Sequence, residues 1–146
     1  MVELELCAVG GYTEVGKNMS ALRVGDEVIL IDMGVSVQAI SNYDKEEGST
    51  KVLSSHQLMD IGAIPDDRKI EDWKPLVKAI VLGHAHYDHI AAVQFLAAKY
   101  KCPIIGTPFT IKVLKAILDD DEIKLPNKFI VVEPDEKYKI SDNLTV

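Results

Sequence analysis

Residues 79–90, AIVLGHAHYDHI, contain the pattern that decides the fold. The run 79–82 is apolar and too short for a helix, which predicts a buried strand. Three of the chain's four histidines follow it within the six residues 84–89, together with one aspartate. The sequence therefore places a dense cluster of imidazole and carboxylate groups in the loop that follows a buried strand.

The spacing of these four side chains suits divalent metal ions. Alternate side chains of an extended segment point to one side, so His84 and His86 can converge on one cation. The turn into the following helix directs Asp88 and His89 to a second position beside it. Neutral imidazole and carboxylate are ligands of catalytic zinc, and the lack of nearby cysteines argues against a closed structural site. The alternatives are surface histidines in a loop, or an aspartate that only caps the helix.

The chain before this cluster is rich in strand patterns. Three short strands are predicted at residues 4–8, 19–24 and 28–31. Gly25-Asp26 suits a hairpin turn between the last two, so the three strands form an antiparallel meander. Residues 35–69 carry the least pattern and predict a long loop with one short helix at 54–61.

After the buried strand, the pattern alternates between helices and strands. Helices are predicted at residues 90–100 and 108–118, and strands at 103–105 and 129–132. Thr107 caps the second helix, and Pro108 occupies its first position. This alternation predicts a layered α/β domain, with a further strand beginning at 144–146.

Composition limits the architecture and the function. The chain has 146 residues, of which 47% are hydrophobic and 27% charged, which suits one folded domain. Its 23 acidic and 16 basic residues give a net charge of -7, so a nucleic acid would have to bind a local patch. No apolar run is long enough to span a membrane and the first residues are acidic, which favours a cytoplasmic protein. Cys7 and Cys102 are expected to be buried and reduced.

The cluster resembles a known signature. His84-x-His86-x-Asp88-His89 after an apolar strand is similar to the motif of the metallo-β-lactamase fold, which implies the amino-terminal half of an αββα sandwich. Other segments resemble, in the same order, the amino-terminal part of the ribonuclease J family of β-CASP nucleases, most closely its archaeal form. These segments are residues 10–19 (GGYTEVGKNM), 32–34 (DMG), 64–66 (IPD) and 106–108 (GTP).

The resemblance implies a role for each residue of the cluster. His84 and His86 would hold one zinc ion and Asp88 and His89 a second, with an activated water between them for attack on phosphorus. Asp88 would also orient or deprotonate this water, or serve only as a ligand. Asp32, at the end of the third strand, would hydrogen-bond a ligand histidine. From the residues alone, Asp32 is equally well a turn residue.

Lys17 and His56 are polar side chains outside the cluster. Lys17 follows glycine-rich chain whose backbone N–H groups can meet a phosphate, which makes it a candidate for substrate binding. A solvated lysine is the alternative. His56 lies apart from the cluster and is expected to be exposed or paired locally.

The ligand set of this chain is incomplete by comparison with the family. The family takes a His, a bridging Asp and a final His from later strands and inserts a β-CASP domain, whereas no histidine follows His89. Residues 1–146 are therefore expected to be a partial metallo-β-lactamase domain, with further ligands beyond Val146. By itself this piece is expected to be inactive and to expose apolar surface where later strands pack.

The resulting hypothesis is a zinc-dependent ribonuclease that hydrolyses RNA phosphodiester bonds in the 5′-3′ direction. A homodimer, if it forms, would use regions outside this chain. One alternative is another hydrolase of the same fold, such as a glyoxalase II-like thioesterase. A second alternative is a non-catalytic module, against which the four intact ligands argue.

Overall fold

The computed structural model describes residues 3–47 and 52–146, and these build one six-stranded mixed sheet. The strands lie side by side in chain order: β1 (Leu4–Gly10), β2 (Met19–Val24), β3 (Glu27–Ile31), β4 (Val77–Val81), β5 (Ile104–Gly106) and β6 (Phe129–Val131). Strands β1 to β3 pair antiparallel, and β3 to β6 pair parallel. The predicted α/β architecture and its meander are confirmed.

Helices occupy the connections between these strands. The α-helices of the described residues are α1 (Val37–Glu47), α2 (Ser55–Asp60), α3 (Tyr87–Ile90), α4 (Val93–Leu96) and α5 (Pro108–Asp120). Two 3₁₀ helices cover Asp67–Leu76 and Ala97–Lys99. Helix α5 begins as predicted, with the Thr107 hydroxyl accepting a hydrogen bond from the Thr110 backbone N–H. None of the helices described combines the length and apolar content needed to cross a bilayer.

The prediction of a long loop at residues 35–69 was wrong. Helix α1 occupies Val37–Glu47 and a 3₁₀ helix begins at Asp67, while residues 48–51 lie outside the described part of the chain. The sequence of α1, VQAISNYDKEE, is mostly polar, so it carries little of the helical periodicity on which the prediction depended. The short helix predicted at 54–61 is confirmed as α2, which Ser54 caps.

The single helix predicted at 90–100 is broken into α3, α4 and a 3₁₀ turn. It also begins earlier than predicted, because α3 starts at Tyr87. Between α3 and α4, the backbone N–H of Ala92 donates to the carbonyl of Met33 at 2.8 Å. This bond to the chain after β3 replaces a helical one. The break is therefore set by tertiary contacts, which an apolar sequence does not reveal.

One face of the sheet and the helices form the main core. Side chains of this face are fully or almost fully buried, as shown by Val9, Met19, Ala21, Leu30 and Ile80. The helical layer packs against them through Ile90, Leu96, Ile111 and Leu114. This core fixes the positions of the loops that leave the sheet.

Residues 138–146 cover part of the opposite face. Leu144 is buried there in the same cluster as Ile29. The strand predicted at residues 144–146 is reduced to an isolated bridge between Thr145 and Lys139. The segment is therefore a short apolar cover and not a seventh strand of the sheet.

The edge of this second face is open. On β1, Leu4 and Leu6 are 68% and 63% exposed, although alternation of apolar and polar residues would normally bury them. The alternate residues Cys7 and Val9 point to the main core instead. Leu4 and Leu6 are therefore exposed apolar side chains on this edge strand, and the packing of later strands there stays a prediction.

The two cysteines are free, as expected, but differ in burial. Cys102 is buried, and this burial raises the pKa of its thiol to about 11. Cys7 is only half-buried, which corrects the prediction that both thiols are buried. The reason is its place on β1, which has a neighbouring strand on one side only.

A buried carboxylate fixes the connection that leads into β4. Asp67 is fully buried, and its oxygens accept hydrogen bonds from the Lys99 ammonium at 3.1 and 3.2 Å and from the Tyr100 hydroxyl at 3.0 Å. The Lys74 ammonium lies 3.7 Å from the same carboxylate. A buried charge is stable only when paired, so this network joins the 3₁₀ helix before β4 to the chain after α4.

Removing the Asp67 carboxylate is expected to destabilise the fold strongly. Asp67→Ala should lower the free energy of unfolding by about 3 kcal/mol, because Lys99 and Tyr100 then lose their buried partner. Tyr100→Phe, which deletes one hydrogen bond, should cost about 1 kcal/mol. Urea denaturation followed by circular dichroism measures both values. Equal losses for the two variants would contradict the central position of Asp67.

Candidate metal centre

The candidate site lies at the carboxyl edge of the parallel part of the sheet. Strands β3 and β4 end in register at Ile31 and Val81. The backbone N–H of Asp32 then donates to the Val81 carbonyl at 2.9 Å, which extends the pairing by one residue. The loops that follow the two strands therefore leave the sheet side by side, where α/β folds commonly build their sites.

The four side chains of the predicted cluster lie close together at this edge. The ring centroids of His84 and His86 are 4.6 Å apart, and those of His84 and His89 are 3.9 Å apart. Asp88 Oδ2 lies 3.6 Å from His89 Nε2. His84 and His86 are exposed, whereas Asp88 and His89 are half-buried. The structure thus brings the four candidates to one solvent-accessible place.

These four side chains lie near one another but do not form one closed ligand set. Across residues 3–47 and 52–146, no three side chains of His, Cys, Asp or Glu converge as a group able to hold a metal ion. A catalytic zinc site takes three protein ligands and a structural site four. The described residues therefore offer only part of a complete coordination sphere.

Asp32 fixes the orientation of the His89 ring. Its Oδ2 accepts a hydrogen bond from His89 Nδ1 at 2.7 Å, and its Oδ1 accepts one from the Gly83 backbone N–H at 2.8 Å. A proton on Nδ1 leaves the lone pair of Nε2 free for a cation. Asp32 also has a φ of 63°, in the left-handed region that costs an aspartate some strain. The structure places Asp32 in contact with His89, while the role of His89 as a metal ligand stays a prediction.

Asn18 is the site residue that sequence analysis missed. Its side-chain Nδ2 lies 3.0 Å from Asp88 Oδ2, 3.0 Å from the Asp88 backbone oxygen and 3.1 Å from His89 Nε2. Three acceptors thus direct lone pairs at one amide nitrogen, which carries partial positive charge on its hydrogens. A group of acceptors arranged in this way fits a cation. Asn18 belongs to a segment that carried the family resemblance, but a single asparagine in a polar loop is too common to be selected.

Behind the cluster, the backbone around Asn18, the loop after β3 and the first turn of α3 lie in close contact. The N–H of Asn18 donates to the Asp88 carbonyl at 3.1 Å, the N–H of Gly34 to the Asn18 carbonyl at 3.0 Å, and the N–H of Met33 to the His89 carbonyl at 2.8 Å. A Cβ added to Gly34 would lie 1.5 Å from the Asp88 carbonyl oxygen. Only glycine permits this approach, which places the first turn of α3 against the loop after β3.

Lys17 lies next to Asn18, and its ammonium pairs with Glu14. The distance from Lys17 Nζ to Glu14 Oε1 is 3.5 Å. Hydrogen bonds from the Thr13 hydroxyl and the Gly11 backbone N–H lower the pKa of the Glu14 carboxyl. The carboxylate is therefore charged at neutral pH and holds the lysine. A contact of Lys17 with substrate stays a prediction, and His56 is exposed on α2, as expected.

Comparisons with known proteins place this geometry in a family. The sequence model described as "Metallo-beta-lactamase superfamily" matches residues 12–138. Ribonuclease J of Methanocaldococcus jannaschii is 40% identical over 146 residues, covering 99% of this chain and 32% of that protein. Ribonuclease J of Pyrococcus abyssi is 39% identical over 145 residues, covering 98% of this chain and 31% of that protein. The chain therefore spans about a third of the length of these curated relatives.

A solved structure supports the fold independently. Unliganded yeast PDE1 superposes with a TM-score of 0.58 and 20% identity, covering 97% of this chain and 54% of that one. At this identity the similarity establishes a shared fold. The six-stranded sheet with helices packed on one face corresponds to the amino-terminal half of an αββα sandwich.

Gly34→Ala is expected to disrupt the cluster. Its methyl group would overlap the Asp88 carbonyl, so we expect a loss of about 3 kcal/mol in the free energy of unfolding and weaker zinc binding. Gly25→Ala is the matched control, because the same change at Gly25 places a Cβ with no atom within 4 Å. That control should cost about 1 kcal/mol for its left-handed backbone and leave zinc binding unchanged. Urea denaturation and zinc titration against a chromophoric chelator measure these effects, and equal effects of the two variants would contradict the close contact.

Proposed function

The chain belongs to the metallo-β-lactamase superfamily, and we propose that it is the amino-terminal part of a metal-dependent ribonuclease. The proposed reaction is hydrolysis of phosphodiester bonds in RNA. The arrangement of His84, His86, Asp88 and His89 at one edge of the sheet carries this proposal. Sequence similarity over 99% of the chain to a protein named Ribonuclease J supports the choice of RNA as substrate.

The donor set of the cluster fits zinc. We propose that His84 and His86 hold one zinc ion and that Asp88 and His89 hold a second. Held by these residues, two zinc ions would supply a water molecule of lowered pKa and electrostatic stabilisation of the phosphodiester oxygens. Imidazole-rich sites with a carboxylate favour zinc over magnesium or calcium. Each pair supplies two ligands, so we propose that the remaining ligands come from chain beyond Val146.

The protein groups around this centre have distinct roles in the proposal. Asp32 keeps the His89 ring in the tautomer whose Nε2 can bind a cation. Asp88 Oδ2 accepts a hydrogen bond from Asn18, which leaves Oδ1 to bind a cation or to accept a proton from the attacking water. His84 is exposed, so an RNA phosphate can reach the centre from solvent.

Finer features of the function are also proposed. Degradation in the 5′-3′ direction follows from the resemblance to ribonuclease J, as does the insertion of a β-CASP domain in the complete protein. Residues 1–146 alone are proposed to be inactive, because two ligands do not complete either zinc site. Dimerisation is proposed to use regions outside this chain. The free thiols of Cys7 and Cys102 suit the reducing conditions of the cytoplasm.

His86→Ala in the complete protein is expected to remove most ribonuclease activity. The loss of a ligand should exceed the 10- to 100-fold effect that is typical of residues behind the ligands, so we expect more than about a 100-fold decrease. His56→Ala, which changes an exposed histidine of α2, is the matched control and should retain full activity. The measurement is the rate of degradation of a 5′-labelled RNA.

Two further substrates distinguish the proposal from its alternatives. A circular RNA of the same sequence should resist degradation, because it has no 5′ end. A glutathione thioester tests for a thioesterase of the same fold. Full activity of His86→Ala on RNA, or hydrolysis of the thioester in place of RNA, would refute the proposed function.

A further inference from the structure

We infer that Asn18 is a positioning residue of the metal centre, which holds the Asp88 carboxylate with both hydrogens of its side-chain amide and releases His89 when a cation binds. The inference rests on the proposed function, because it assumes that Asp88 and His89 bind a metal ion. It concerns a residue that is not itself a ligand. The three contacts of Asn18 Nδ2 provide the argument.

The number of hydrogens on the amide limits how many of these contacts can be hydrogen bonds at once. A side-chain amide nitrogen carries two hydrogens, whereas three acceptors lie between 3.0 and 3.1 Å from Asn18 Nδ2. Two of these acceptors, the backbone oxygen and Oδ2, belong to Asp88 and can be satisfied together. The contact with His89 Nε2 is the one that the inference assigns as replaceable, because Nε2 is the atom that the proposed function gives to a cation. A cation can take the lone pair of Nε2 while both bonds from Asn18 to Asp88 persist.

The orientation of the amide is fixed by its surroundings. Rotation of the amide by 180° would place Asn18 Oδ1 against three acceptors, which is electrostatically unfavourable. The amide oxygen instead packs against Gly11, where an added Cβ would lie 2.3 Å from Oδ1. The Asn18 backbone is also bonded on both sides, to the Asp88 carbonyl at 3.1 Å and to the Gly34 N–H at 3.0 Å. The donor therefore points to the cluster before any cation arrives.

The Asp88 side chain needs such a partner, because the short helix α3 does little to fix its rotamer. It lies in α3, a helix of only four residues, and its side chain is 36% exposed. A half-buried carboxylate on a short helix samples several rotamers, and ordering it upon metal binding costs conformational entropy. The bond from Asn18 to Oδ2 fixes the rotamer in advance. Asn18 should therefore strengthen binding at the Asp88 and His89 pair, and not at His84 and His86.

Zinc binding by the complete protein tests this inference. Asn18→Leu has nearly the same volume but no hydrogen-bond donor, and it should weaken the binding of one zinc equivalent 10- to 100-fold while the other equivalent binds as in the wild type. Asn143→Leu is the matched control, because Asn143 is an exposed asparagine whose amide bonds Glu27. It should leave both equivalents unchanged. Zinc-free protein is titrated in competition with a chromophoric chelator, and circular dichroism verifies folding.

A double-mutant cycle separates positioning from a general structural role. In an Asp88→Ala background, Asn18→Leu should cause no further loss of zinc affinity, because the side-chain oxygen that accepts from Asn18 is absent. Equal weakening of both zinc equivalents, or a full further loss in the Asp88→Ala background, would overturn the inference. Asn18→Ala, which also lacks a hydrogen-bond donor, provides the same comparison if Asn18→Leu does not fold.

The outcome for the wild-type protein distinguishes the two proposals. If the wild type binds no zinc, the proposed function fails together with the inference. If the wild type binds two zinc ions and Asn18→Leu binds both equally tightly, the proposed function stands and only the role of Asn18 is refuted.

Discussion

The hydrogen bond from His89 Nδ1 to Asp32 Oδ2, 2.7 Å long, is the contact on which the arrangement of the site depends. It joins the end of β3 to the first turn of α3, and Asp32 also binds the Gly83 backbone N–H after β4. The ends of β3 and β4 and the first turn of α3 are thereby held in one geometry. The same bond selects the tautomer that leaves His89 Nε2 for a cation. The parallel pairing of β3 and β4 aligns the loops that follow the two strands, so the sheet positions the side chains of the candidate site.

Much of this arrangement follows from sequence. Short apolar runs and alternating runs predict all six strands. The side chains of a strand alternate between its two faces, and this local pattern does not depend on tertiary partners. Thr107 and Pro108 mark the start of α5 through local capping, which needs no tertiary partner. The cluster at residues 84–89 is recognisable because three histidines and one aspartate fall within six residues. The contact of Asp32 with a histidine was implied by the resemblance only.

The features that sequence did not reveal depend on contacts between distant segments. Helix α1 has a mostly polar sequence, so its helical period is faint. The break between α3 and α4 is set by a backbone bond from Ala92 to Met33. Asn18 lies 70 residues from Asp88 in sequence, and nothing near it indicates which acceptors its amide meets. The exposed side chain of Leu4 on the edge strand fits the proposal that further chain packs against this face.

Anomalous diffraction at the zinc edge, from crystals of the complete protein grown with zinc, tests the central claim most directly. The account predicts two zinc peaks, one in contact with His84 and His86 and the other in contact with Asp88 and His89. Zinc bound at other residues only, or four unliganded side chains in a zinc-containing crystal, would contradict it.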